Sequence, residues 1–87
     1  MTTTNEALLQ YMAEDEAITA RKLANKQRYI LIDTLTDDAE IRELDAIIMA
    51  EEEAIPDAMA ANTRRLEAIA PTLSDDDRAA LRDWIRR

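Results

Sequence analysis

The 87-residue chain contains no glycine, cysteine, histidine or phenylalanine, and only two tyrosines and one tryptophan supply aromatic bulk. Each absence excludes something. Without glycine, the positive-φ positions of tight hairpin turns become costly, which disfavours β structure. Without cysteine there are neither disulfides nor thiolate chemistry. Without histidine the commonest acid–base group and the commonest transition-metal ligand are missing. Valine is absent too, while Ala, Leu, Ile, Glu and Arg abound, the residues that lose least on entering a helix. The expected class is all-α, with residues 1–87 forming a single domain.

No apolar run is long enough to span a bilayer, and the first residues lack a basic leader, so the expectation is a soluble cytoplasmic protein without a membrane partner. The net charge is −8, and residues 37–57 hold nine acids against the single base Arg42. The flanks on either side nearly cancel. Such a concentrated field selects positively charged partners and repels nucleic acid, so direct nucleic-acid binding is not expected.

Three helices are predicted, at about 4–34, 37–70 and 75–86. Thr3 and Glu6 have capping-box spacing, with Thr3 or Thr4 as N-cap. A broad, Ala-rich face of the first helix carries Leu9, Met12, Ala13, Ala17, Ala20, Leu23, Ala24, Ile30, Leu31 and Leu35, interrupted by Glu16 and Gln27. It would let a partner helix approach closely. A different face carries Tyr11, Ile18, Asn25 and Ile32 at seven-residue intervals, with Tyr29 beside them. The first helix therefore offers two surfaces that call for a neighbour.

Thr36 reads as a fresh N-cap, with Asp37 and Asp38 as acids favoured by the dipole of the helix it starts. Ile41, Leu44, Ile48, Ile55, Met59, Leu66 and Ile69 then share one face in a register that runs through Pro56. This predicts one long helix kinked at Pro56 rather than two helices. Pro71 closes it. Ser74 and Asp77 repeat the capping-box spacing, and Leu81, Trp84 and Ile85 form the apolar stripe of a short amphipathic helix.

Two long helices joined by a short turn fold as an antiparallel hairpin. Pairing outward from the turn sets Arg21, Lys22, Lys26 and Arg28 opposite the acidic stretch, and Glu6 towards Arg64 and Arg65. The last helix, roughly 18 Å long, reaches the Tyr11 and Ile18 region but not Tyr29 and Ile32. Tyr11, Ile18, Asn25, Tyr29 and Ile32 are thus the candidate self- or partner-interface. Asn25 either fixes the register of that contact or is a solvated residue on a polar stripe.

Acidic clusters at 14–16, 51–53 and 75–77 suggest carboxylate metal sites. With neither the glycine of a calcium loop nor the histidine of a di-iron bundle, they read instead as solvated faces and caps. No metal or cofactor is expected. A carboxylate pair needs a cleft, which a thin hairpin rarely provides, so no enzyme activity is expected either.

The leading expectation is a small acidic protein–protein interaction module that forms a homodimer through the first helix. The alternative is a nucleic-acid mimic. Nine acids over 21 helical residues approach the charge spacing of a DNA strand, and Glu43, Glu51, Glu52, Glu53 and Asp57 would then engage a basic, DNA-binding protein. Small inhibitors encoded by phages and mobile elements, of anti-restriction or anti-CRISPR type, use this principle. A structural or assembly adaptor is the third possibility.

Overall fold

The computed structural model describes residues 5–87. Helix α1 spans Glu6–Ile32, α2 spans Asp38–Ile69, and a 3₁₀ turn at Ala70–Thr72 leads into α3, Asp75–Arg86. The molecule measures 55 × 22 × 16 Å. That length follows from α2, whose 32 residues extend about 48 Å at the helical rise. It is an all-α helical hairpin with a short third helix, and no helix among the described residues is long and apolar enough to cross a membrane.

Local chemistry accounts for the helix ends. Asn5 caps α1 by accepting a hydrogen bond from the Leu8 N–H through its side-chain oxygen. The expected caps Thr3 and Thr4 lie outside the described residues. Asp37 caps α2 by accepting from the Ala39 and Glu40 N–H groups. At α3 the capping box is complete: Ser74 Oγ accepts from the Asp77 N–H and the Asp77 carboxylate accepts from the Ser74 N–H. Helix α2 runs unbroken through Pro56, so the two-helix reading is excluded; the expected kink goes no further than the sequence argument.

The seam between α1 and α2 is not the one expected from hydrophobicity alone. Ile18 and Asn25 of α1 are buried against Ile48, Ile55 and Asn62 of α2, with Tyr11, Ile32, Ile41, Leu44, Leu66 and Ile69 half-buried along the same line. On α2 the expected face is the buried one, except that Met59 stays exposed. On α1 the two faces are exchanged. Most of the Ala-rich face looks outward, with Leu9, Leu23, Ile30 and Leu31 exposed, while Met12 is buried with Leu8 and Leu73 and Ala24 and Leu35 are half-buried.

Charged residues between the seven-residue positions do not prevent this packing, because they pair across its margin. Arg21 and Glu51 form a two-pronged ion pair at 2.7 and 3.0 Å. Arg65 approaches Glu14 at 3.8 Å, in place of the expected Glu6. Long side chains can lay their stems along an apolar seam and keep their charged heads wet.

The hairpin has an approximate two-fold symmetry, and the sequence carries it. Residues 12–18 read MAEDEAI and residues 49–55 read MAEEEAI. The same shift superposes Ala24, Asn25, Arg28 and Ile32 on Ala61, Asn62, Arg65 and Ile69. It also superposes the caps Asp37 and Ser74. Asn25 Nδ2 donates to the Ile48 carbonyl at 3.3 Å, and Asn62 Nδ2 donates to the Tyr11 carbonyl at 3.1 Å. Tyr11 and Ile48 are themselves related by the shift, so the two bonds are images of each other. Arg28 donates to Asn25 Oδ1 and Arg65 to Asn62 Oδ1, completing the pair.

At the open end of the hairpin α3 folds back onto α1. Leu8, Met12 and Leu73 form a buried cluster, with Tyr11, Ile69, Leu81 and Trp84 packed around it. The Trp84 indole N–H donates to Asp15 at 3.1 Å, and Arg87 reaches Glu16 at 3.2 Å while its guanidinium lies over the Trp84 ring. Ile85, expected in the apolar stripe, is exposed.

Candidate functional site

Of the five residues expected to form an intermolecular contact, Tyr11, Ile18, Asn25 and Ile32 already have an intramolecular neighbour in α2. The physical reason is the complementary pattern on α2: Ile48, Ile55 and Asn62 repeat at the same seven-residue interval. Asn25 is a buried register-setting residue, not a solvated one. Tyr29 alone of the five is exposed. It borders a surface groove of about 450 Å³ lined also by Lys22, Lys26, Glu52, Ile55, Pro56 and Met59.

The acids of α2 divide in the same way. Glu51 is held by Arg21, and that hydrogen bond keeps its carboxyl below the usual range, with the charges of Arg21 and Arg28 adding to the effect. The Arg21 guanidinium is raised correspondingly. Glu43, Glu52, Glu53 and Asp57 are exposed. Tyr11 titrates above its ordinary value because of burial first and the neighbouring Asp15 second. Among the described residues no group of three or more His, Cys, Asp or Glu side chains is arranged to hold a metal ion. No buried side-chain polar atom among them lacks a hydrogen-bond partner.

The outward face of α1 is the surface that sequence reasoning placed inside. Leu23 is 57% exposed and Ile30 66%. The internal repeat could have exposed the inversion, since Ile18, Asn25 and Ile32 recur as Ile55, Asn62 and Ile69 while the large apolar residues of the Ala-rich face, Leu9, Leu23, Ile30 and Leu31, do not recur. Positions Leu23, Gln27 and Ile30 become Ala60, Arg64 and Glu67.

Fold and surfaces together define a class: a pseudo-symmetric helical hairpin, braced at its open end by a short helix and apolar on one outer face. Comparison with known protein families, curated proteins and solved structures returns no match for this chain.

Proposed function

We propose that the protein is a non-enzymatic interaction module that forms a homodimer through the outer face of α1. The observation that carries this reading is the asymmetry between the two halves of the repeat. The seam is retained in both, whereas the outer Leu9, Leu23, Ile30 and Leu31 of α1 are matched on α2 by Ala46, Ala60, Glu67 and Ala68. A solvated face needs no such Leu and Ile residues, and large apolar residues gathered on one exposed face favour an interface.

Antiparallel self-pairing suits the chemistry of the face. Ala13, Glu16, Ala20, Leu23, Gln27 and Ile30 are spaced 3-4-3-4-3, a pattern identical in both directions. A two-fold axis between Ala20 and Leu23 sets Leu23 against the partner's Ala20 and Ile30 against the partner's Ala13, large against small. It also sets Gln27 against the partner's Glu16, whose carboxylate is paired with Arg87 and keeps acceptor capacity for the Gln27 amide. The acids of α1 (Glu6, Glu14, Asp15, Glu16) occupy its first half and the bases (Arg21, Lys22, Lys26, Arg28) its second. Only the antiparallel arrangement brings unlike charges together.

Sedimentation at high micromolar concentration tests this. The expected outcome is a dimer for the native chain and a helical monomer for Leu23→Glu/Ile30→Glu. A native monomer, or a variant that stays dimeric, would remove the basis for the proposal. The exposed Glu43, Glu52, Glu53 and Asp57 favour nucleic-acid mimicry as a second reading. It ranks lower because Glu51 already has a cationic partner and Asp37 a capping role. Mimicry requires binding to a basic protein that weakens steeply with salt.

A further inference from the structure

The two-fold symmetry of the hairpin has a consequence for α3. The seat of α3 on α1 is built from Met12 on its floor, the half-buried Tyr11 beside it, and the carboxylates of Asp15 and Glu16, which receive Trp84 and Arg87. The repeat reproduces these positions on α2 as Met49, Ile48, Glu52 and Glu53. Chemical character is kept at Met49, Glu52 and Glu53, whereas Ile48, in the place of Tyr11, is buried in the seam. Yet Met12 is 8% exposed and Met49 is 52% exposed, and both glutamates lie on the surface.

We infer that α2 carries a second docking site of the kind α3 fills on α1, and that its ligand is a basic amphipathic helix of a partner protein presenting an aromatic ring and, three residues on, an arginine. The ring would cover Met49 with a donor to Glu52, and the arginine would meet Glu53. Trp84 and Arg87 have this spacing and stack on one another at 3.3 Å, so the ring and the guanidinium act as one recognition unit. Besides Ile48 in place of Tyr11, the α2 site has Asp45 where the α1 seat has the buried Leu8, which favours a further cation on the ligand over an apolar residue. The surrounding acids of 37–57 select the same sign.

This chain's own α3 is not the occupant. The 3₁₀ turn Ala70–Thr72 ties it to the end of α2, and Met49 lies 20 residues back along that helix, about 30 Å away. The site is separate from the outer face of α1, and the inference does not rest on dimer formation.

A fluorescein-labelled peptide corresponding to residues 78–87, with four arginines against one aspartate, is a suitable basic probe of the intact protein, read by fluorescence anisotropy and by the methyl resonances of Met12 and Met49. Saturable binding is expected, moving the Met49 methyl and leaving Met12 in place. Affinity should fall at least tenfold in Glu52→Gln/Glu53→Gln, and equally when the peptide's tryptophan is replaced by alanine. Leu23→Glu/Ile30→Glu should leave it unchanged, which separates this site from the dimer face. The inference is overturned if no saturable binding occurs up to millimolar peptide, if the double Gln variant binds as well as the native protein, or if Met12 moves instead of Met49.

Discussion

Asn25 and Asn62 hold the hairpin in register from within an otherwise apolar seam. Each buried amide donates to a backbone carbonyl of the facing helix, and each side-chain oxygen accepts from an arginine one turn later. Replacing either by Ala should cost about 1–2 kcal/mol, the usual loss for a buried hydrogen bond. Because the two are symmetry images, chemical denaturation should give similar losses for both. The double variant Asn25→Leu/Asn62→Leu should be at least as stable as the native chain but populate more than one oligomeric form, since apolar seams slide where polar ones do not. At Glu51 the folded carboxyl titrates below its unfolded value. Its ion pair therefore stabilises the fold fully above the ordinary carboxylate range and is lost as pH falls through the lowered folded value. Glu51→Gln should lower stability at neutral pH and flatten its acid-side decline, as followed by thermal unfolding between pH 2 and 7.

At the level of elements, the caps and the periodicity were legible because they are local. Ser74 with Asp77 was readable from spacing and forms, whereas α2 is capped by Asp37 one residue after the expected Thr36. Pro56 shows where local rules yield. Proline inside a helix removes a donor and costs about 3 kcal/mol. The helix continues regardless, because Ile48, Ile55, Asn62 and Ile69 keep one register across it and bury their side chains in the seam. Pro56 is itself exposed, so Pro56→Ala should leave the fold intact and raise stability by up to about 3 kcal/mol in denaturant titration. A loss of stability would mean that the proline is needed for the groove it lines.

At the scale of the molecule, a slender hairpin with few fully buried side chains, Leu8 and Ile48 being the largest, has little core of its own. Association should then contribute to stability by mass action. The melting temperature should rise with protein concentration, and that dependence should vanish in Leu23→Glu/Ile30→Glu. A melting temperature independent of concentration over two decades would argue for a self-sufficient monomer.

Composition alone excluded β structure and disulfides, and periodicity with capping residues located three helices, the hairpin and its capped third helix. Those are short-range properties, decided by backbone preference and by residues within a turn of one another. Tertiary structure decided which face of α1 points inward. Hydrophobic periodicity measures how apolar each face is, and α1 has two candidates. Burial goes to the face whose pattern α2 can match, with isoleucine and asparagine at equal intervals and opposite charges along the margin. That match depends on residues some forty positions away in the chain, and it leaves most of the more apolar, Ala-rich face of α1 on the outside.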